Sequence, residues 1–345
     1  MKANYHQHIL NFKRPSGTSR GVMKTKETWF IVIEQNEKKG IGECGILRGL
    51  SIDDTPNYET KLKWVCNNIN LGLEVLYNAL VEFPSIQFGL EMAFKSLESE
   101  HPFLLFPSAF TEQQDAISIN GLVWMGSEHF MQTQIKEKIN AGFKCIKLKI
   151  GALDFNTELN ILKSIRNQFS ITDIELRVDA NGAFLPNDAL EKLKRLSDYQ
   201  LHSIEQPIQP NQFEVMANLC KSTPLPIALD EELIGVFSET KKQQLLQTIQ
   251  PQYIILKPSL IGGYNGSKQW VDLAEKLNIN WWITSALESN IGLNAIAQYT
   301  YTLNNTMPQG LGTGGLFTNN FESPLQVKHG NLQYNKNTNW KFNIH

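Results

Sequence analysis

The stretch Ile174-Glu175-Leu176-Arg177-Val178-Asp179-Ala180-Asn181 alternates aliphatic and polar side chains. Successive side chains of a β-strand point to opposite faces. Ile174, Leu176, Val178 and Ala180 therefore share one face, and Arg177, Asp179 and Asn181 share the other. The aliphatic face suits packing under helices, and the polar face suits an enclosed interior. The same parity recurs along the chain. Ile146, Leu148 and Ile150 oppose Lys147 and Lys149; Glu205 follows Ile204; Ile227 and Leu229 oppose Asp230; Ile254 and Leu256 oppose Lys257. From Lys149 to Asp179 is 30 residues, then 26 to Glu205, 25 to Asp230 and 27 to Lys257. Each step is about one βα unit, so five consecutive strands each present one ionisable side chain at the same end.

Outward from that stretch, eight short β-type runs alternate with amphipathic helical patterns. The runs are Ile117 to Gly121, Cys145 to Ile150, Ile174 to Ala180, Ser203 to Pro207, Pro226 to Asp230, Tyr253 to Lys257, Trp281 to Ser285 and Gln309 to Gly312. Helical patterns between them include Glu128 to Ala141, Glu158 to Phe169, Ala189 to Leu196 and Ser267 to Leu277. A doubly wound sheet shares this alternation, but no strand is followed by the Gly-x-Gly-x-x-Gly turn of a dinucleotide fold. Eight repeats in about 200 residues predict an α/β fold of the (β/α)8 barrel type, with its chemistry at the C-terminal ends of the strands. The first hundred residues read differently. Thr28–Ile33 and Ile41–Cys44 predict a meander turned at Lys38-Lys39-Gly40. Leu62, Val65, Ile69, Leu73, Leu76 and Leu80 have helical spacing, Pro84 breaks the run, and Phe88 to Leu97 restarts it. This α+β segment ends in a linker from His101-Pro102 to Pro107.

Composition limits the function. The 345 residues carry 32 Lys+Arg against 34 Asp+Glu, 41% apolar residues and four cysteines. A net charge of −2 leaves no electrostatic footprint for nucleic acid or an anionic membrane. No apolar run approaches the roughly 20 residues of a spanning helix. Met1 to His8 lacks the apolar stretch and cleavage site of a secretory signal, and the cysteines show no disulfide-like density. The expectation is a soluble, reduced, cytoplasmic protein that acts on a small molecule; a homo-oligomer is compatible with it.

Lys149, Asp179, Glu205, Asp230 and Lys257 in register define the candidate site. A single strand-end lysine or aspartate is commonly a solvated surface group, but five matching positions are not explained that way. Three packed carboxylates repel, and one takes up a proton unless a cation joins them. Hard oxygen donors with room for water suit Mg²⁺, with Mn²⁺ as a substitute. Such an ion can bind a substrate carboxylate and stabilise the dianion formed when the α-carbon loses a proton. One lysine then takes the proton while the other steadies the charge, or the two face opposite sides of the carbon. A lysine beside a divalent cation and another amine is expected to have a lowered pKa.

These motifs resemble those of the enolase superfamily, muconate-lactonising-enzyme subgroup. Lys147-Leu148-Lys149 is similar to its Lys-x-Lys element, and Arg177-Val178-Asp179-Ala180-Asn181-Gly182 to its first metal-ligand motif. Glu205-Gln206-Pro207, Asp230-Glu231 and Lys257-Pro258-Ser259 resemble the second ligand, the third ligand and the second lysine. The resemblance implies a capping α+β domain over 1–105, completed by about 318–345, and a modified barrel over 110–317. It implies Asp179, Glu205 and Asp230 as Mg²⁺ ligands, Lys149 as the catalytic lysine, Lys257 as its partner across the site and Lys147 as a helper. Asn181 would support the metal-site geometry and Arg177 would lie behind it. Two loops, Pro15 to Gly21 and Gly45 to Leu50, have the composition of mobile lids; plain connectors would look alike.

Ser118 to Trp124, Ser285 to Gly292 and Gly310 to Phe317 resemble the subgroup's menaquinone-pathway dehydratases. The subgroup's dipeptide epimerases carry Asp-x-Asp at the last barrel strand, where this chain has Gly312-Thr313-Gly314. A Gly-rich strand end offers backbone N–H groups instead, which suit an anionic tail such as a succinyl carboxylate. Ser285, Leu287, Gly312 and Thr313 are the expected substrate contacts. The implied reaction is syn elimination of water from a cyclohexadiene carboxylate. Racemisation of N-succinyl amino acids is the alternative, and a cycloisomerase a weaker one. A Schiff-base aldolase would leave three carboxylates without a role, and a zinc amidohydrolase would need a His-x-His that no strand carries. A non-catalytic descendant would be expected to have lost one of the five residues.

Overall fold

The computed structural model describes residues 1–18 and 21–343. The chain begins with three antiparallel strands, β1 (Lys2–Thr18), β2 (Gly21–Gln35) and β3 (Lys38–Cys44), in the order β1-β2-β3. Three helices follow: α1 (Tyr58–Asn67), α2 (Leu73–Asn78) and α3 (Pro84–Glu98). Pro84 starts α3 rather than merely breaking a helix, because a first-turn proline has no N–H to leave unpaired. The period of β2 separates two cores. Trp29, Ile31 and Ile33 pack with Leu62, Val65, Leu76 and Leu90 under the helices. Phe30 faces the other way, edge-on to Phe321 and Phe342. Sheet and helix approach closely where two glycines meet. A Cβ on Gly42 would lie 1.8 Å from the Gly89 carbonyl, and one on Gly89 would lie 2.3 Å from Cys44 Sγ.

Strands and helices then alternate. In order they are β4 (Ile117–Ser118), β5 (Gly121–Val123), α4 (Glu128–Asn140), β6 (Cys145–Lys149), α5 (Phe155–Arg166), β7 (Glu175–Asp179), α6 (Pro186–Ser197), β8 (Ser203–Glu205) and α7 (Phe213–Ser222). β9 (Ile227–Leu229), α8 (Glu239–Ile249), β10 (Tyr253–Leu256), the single turn α9 (Pro258–Ile261), α10 (Gly263–Lys276), β11 (Asn280–Ile283) and α11 (Asn290–Thr302) complete the alternation. Seven strands form one parallel sheet in the order β11-β10-β9-β8-β7-β6-β5. Their outward aliphatics, including Ile146, Leu148, Leu176, Val178, Ile204, Ile227 and Ile254, join the helices in the main core. This is the modified (β/α)8 barrel, with an N-terminal α+β cap, that the alternation and the family resemblance predicted.

Two expected strands differ. Ile117–Gly121 is divided: β4 pairs antiparallel with β13 (Asn331–Tyr334) of a C-terminal hairpin begun by β12 (Leu325–Lys328), while the barrel strand starts at Gly121. Gln309–Gly312 forms single bridges, Gln309 to Ile119 and Gly310 to Thr284, instead of a ladder. Four backbone hydrogen bonds of 2.8–3.0 Å still close the ring there, from Asn120 and Ser285 N–H to Gln309 and Gly310 O and from Gln309 and Gly310 N–H to Ser118 and Ile283 O. A Cβ at Gly310 would lie 2.3 Å from Thr284 Oγ1, so only glycine closes the barrel this tightly. The expected loop Pro15 to Gly21 is also corrected. Ser16 and Gly17 are paired with Met23 and Val22 at the end of the β1–β2 ribbon; Ser19 and Arg20 lie outside the described residues.

Cap and barrel meet along α3 and α10. Glu91 of α3 accepts hydrogen bonds from the first-turn N–H groups of Tyr264 (2.6 Å) and Asn265 (3.1 Å) of α10. Burial outweighs those donors and pushes its pKa from the ordinary 4.5 up to about 8. The folded state therefore keeps a proton that the unfolded chain loses. This contribution is fully present below about pH 4.5 and is lost as the pH rises through about 8. Melting temperature is expected to fall from pH 5 to pH 9, with a shallower fall in Glu91→Gln. Identical slopes for the two proteins would refute the linkage.

Candidate active site

The register of the parallel strands assembles the site. Lys149 is level with Asp179 and Asp179 with Glu205, while Asp230 and Lys257 stand just past the ends of β9 and β10. Asp179, Glu205 and Asp230 are 0%, 2% and 2% exposed, so bulk water does not screen their charges. Lysines do so instead. Lys149 Nζ lies 2.5 Å from Asp179 Oδ2. Lys147 Nζ bridges Asp179 (2.9 Å) and Glu205, and Lys257 Nζ bonds Asp230 and lies 3.8 Å from Glu205 Oε1.

These neighbours set the protonation tendencies. Burial alone would raise Asp179, yet the Lys147 and Lys149 ammoniums hold it well below the usual carboxylate range. Burial likewise opposes ionisation of Asp230, but Lys257 holds its pKa down. Burial, joined by the charges of Asp179 and Asp230, drives Glu205 well up. Lys149 is lowered by burial and by the like charges of Lys147 and Lys257. Lys147 and Lys257 are raised, because adjacent carboxylates overcome their burial. Of these three lysines, Lys149 alone is shifted down.

Among the described residues no three acidic, His or Cys side chains form a closed metal cage. The Lys147 and Lys257 ammoniums bridge the carboxylates instead. The donor set nevertheless fits a hard divalent cation. Three buried carboxylates come from adjacent strands, and Glu205 Oε1 is buried without a hydrogen-bond partner among the described residues.

Backbone geometry past the strand ends fixes the surroundings. Asn181 and Gln206 sit at φ 45° and 37°, in the left-handed region. Asn181 N–H donates to Asp179 Oδ1 (2.9 Å), its Oδ1 accepts from Lys149 Nζ (2.9 Å), and its Nδ2 donates to Glu231 Oε1 (3.0 Å). Asn181 therefore touches Lys149 directly as well as Asp179. Gln206 ties β8 to the turn after β9: its Oε1 accepts from Asp230 and Glu232 N–H, and its Nε2 donates to Glu232. The sequence marked Gln206 only as a motif neighbour.

Arg177 is not part of this site. It shares the inward parity of Asp179 but lies two residues, about 6.7 Å, nearer the barrel floor. There its Nε donates to Glu175 (2.7 Å), its Nη1 donates to the Pro308 carbonyl (2.9 Å), and its guanidinium lies 4.2 Å from the Trp282 ring centroid.

A cavity of about 350 Å³ opens above the carboxylates. Lys147, Lys149 and Lys257 line its base, and Ser285, Leu287, Gly312 and Thr313 all line its wall, so every expected substrate contact faces one space. Met23, Leu47, Leu50 and Trp124 add an apolar side. Only the position of Leu47 and Leu50 in a lid-like loop signalled them beforehand. The wall and the lysines suit a substrate with an apolar ring or chain and an anionic group held near Lys149 and Lys257.

The enolase C-terminal domain-like family model matches residues 131–337. The chain is 45% identical to the o-succinylbenzoate synthase of Desulfotalea psychrophila, covering 96% of this chain and 98% of that protein. The crystal structure of MenC from Desulfotalea psychrophila LSv54 superposes with a TM-score of 0.86 at 42% identity, over 96% of this chain and 99% of that one. The substrate-liganded L-Ala-D/L-Glu epimerase from Bacillus subtilis superposes with a TM-score of 0.83 at 19% identity, over 97% and 96% of the two chains, a likeness of fold alone.

Proposed function

This chain belongs to the enolase superfamily, and from that premise we propose that it acts as an o-succinylbenzoate synthase. The reaction is syn elimination of water from 2-succinyl-6-hydroxy-2,4-cyclohexadiene-1-carboxylate to give 2-succinylbenzoate, a step of menaquinone synthesis in the cytoplasm. The observation that carries this reading is Lys149, a lysine of lowered pKa at the base of a largely apolar cavity whose 312–314 edge holds no carboxylate. The near-full-length likeness to a synthase supports it.

Asp179, Glu205 and Asp230 would hold Mg²⁺, or Mn²⁺ in its place. Bound there, the ion supplies Lewis-acid stabilisation of charge on the substrate carboxylate. Neutral Lys149 removes the proton α to that carboxylate, and Asn181 keeps its Nζ aimed. The same lysine, now an ammonium on the same face, protonates the departing hydroxyl; the C–O bond breaks, water leaves and the ring becomes aromatic. Lys257 stays cationic because Asp230 and Glu205 face it, and it steadies negative charge across the site. Ser285, Leu287, Gly312 and Thr313 hold the ring and the succinyl tail. Residues 1–105, completed by about 318–345, serve as the capping domain of a barrel over 110–317.

A spectrophotometric dehydratase assay on the cyclohexadiene substrate tests the proposal, and metal-dependent formation of 2-succinylbenzoate is expected. The two lysines facing one cavity also suit racemisation. No dehydration, with α-proton exchange of N-succinyl amino acids in D₂O, would replace the synthase with a racemase.

A further inference from the structure

A second buried polar cluster lies beside the cavity, and its centre, Glu288, has no part in the chemistry above. Glu288 follows Leu287 and is fully buried. Its Oε1 accepts from Ser259 Oγ and its Oε2 from Ser285 Oγ, both at 2.5 Å. Ser285 Oγ in turn accepts from Thr313 Oγ1 (2.9 Å) and from the N–H groups of Leu287 (3.1 Å) and Glu288 (3.3 Å). One carboxylate thereby joins the ends of three neighbouring strand positions: β10 through Ser259, β11 through Ser285, and the 309–313 segment through Thr313.

The cluster is built around a strained backbone. Leu287 sits at φ 66°, a conformation that L side chains rarely adopt. That turn packs the Leu287 side chain into a small apolar cluster with Leu10, Trp124 and Phe317, of which Leu287 and Trp124 also line the cavity. Two glycines clear the seat. A Cβ on Gly45 would lie 2.9 Å from Glu288 Cγ, and one on Gly292 would lie 2.8 Å from Glu288 Cβ. A lysine of the cap also faces this cluster. Lys26 of β2 is buried, with no hydrogen-bond partner for its Nζ among the described residues; burial lowers its pKa, and the charges of Glu43 and Glu288 oppose that lowering. Glu43 is itself engaged by Thr28 Oγ1 and by Ser289 and Gly292 at the start of α11. Glu43, on β3 of the cap, is thereby tied directly to the residues that follow Glu288 in the barrel.

We propose that Glu288 is a positioning residue. It holds the strained Leu287 turn and the Ser285 and Thr313 hydroxyls in the arrangement that receives substrate, and Glu43 couples that arrangement to the seated cap through Ser289 and Gly292. The identity of the substrate rests on the proposed function; the positioning does not.

Hydrogen–deuterium exchange and steady-state kinetics of Glu288→Gln and Glu43→Gln test this. The Leu287 and Glu288 amides are direct reporters, because both donate to Ser285 Oγ. Exchange is expected to quicken about tenfold or more in segments 285–289 and 311–316 while the rest of the barrel keeps its protection. On the synthase substrate, KM should rise about tenfold with kcat within about threefold, the pattern of weakened binding rather than weakened chemistry. Ser259→Ala removes one tie without disturbing a charge and should give a smaller change of the same kind; it serves if Glu288→Gln does not fold. Unchanged exchange in these segments, or a uniform rise along the chain, would overturn the proposal. A lowered melting temperature with wild-type KM and kcat would do the same. Absence of wild-type turnover counts against the synthase reading alone, because the exchange result then decides the positioning role by itself.

Discussion

Lys149→Ala is expected to lower dehydration by about 10³-fold or more, toward the upper end of what a positioned acid–base group contributes. The variant should still fold. Asp179 keeps Lys147 at 2.9 Å as a counter-charge, so no buried carboxylate is stranded. Lys149→Arg separates charge from basicity at the same position. A guanidinium preserves the positive charge beside Asp179 and Asn181, but it does not give up its proton near neutral pH. Arginine should therefore restore stability without restoring turnover. The spectrophotometric assay and thermal melts read the two effects independently. Substantial turnover in Lys149→Arg would mean that this position acts through charge, and the base would have to be sought elsewhere.

Removal of divalent metal is expected to have an effect of similar size on turnover, with a small effect on folding. The three acids that would hold the ion are already neutralised by ammoniums: Lys147 between Asp179 and Glu205, and Lys257 beside Asp230. Chelation should stop dehydration, and Mg²⁺ should restore it. Melting temperature should rise with added Mg²⁺ only as mass action dictates, without the collapse seen when a metal is the core of a small domain. Asp179→Ala should behave differently. It takes the counter-charge from Lys149 and half the pairing from Lys147, and breaking such a buried pair costs about 3–5 kcal/mol. Thermal denaturation of the chelated wild type beside Asp179→Ala checks both statements. Unfolding by chelation alone would contradict the first, and full turnover in EDTA would remove the metal from the mechanism.

The parts of the site legible in the sequence are those set by strand parity and repeat spacing. Lys149, Asp179, Glu205, Asp230 and Lys257 were visible because each sits on the inward parity of its strand, about one βα unit after the last. Parity also puts Arg177 on the inward face, where the structure has it, but parity fixes the face of a strand and not the height along it, and Arg177 lies nearer the barrel floor. Asn181 was assigned to the metal geometry alone, whereas its amide also holds Lys149. The ribbon β1 escaped notice because a largely exposed, polar edge strand has no hydrophobic alternation to read. Ile117 to Gly121 looked like one strand, although its two halves pair in different sheets.

Alone, the sequence determined the βα rhythm, the inward polar set, the capping segment before it and, through family motifs, the chemistry expected of five residues. The rhythm, the inward polar set and the capping segment follow from local periodicity, which every short window carries, and the chemistry is what the family resemblance implies. The tertiary structure decided how the barrel closes through single bridges at Gln309 and Gly310, which lysine has its pKa lowered, and how Lys26, Glu43 and Glu288 meet between cap and barrel. The physical reason is the same in each case. Closure, electrostatic environment and buried polar pairing depend on groups tens to hundreds of residues apart along the chain, such as Lys149 and Asp179 or Glu43 and Ser289, brought within hydrogen-bond distance only by folding.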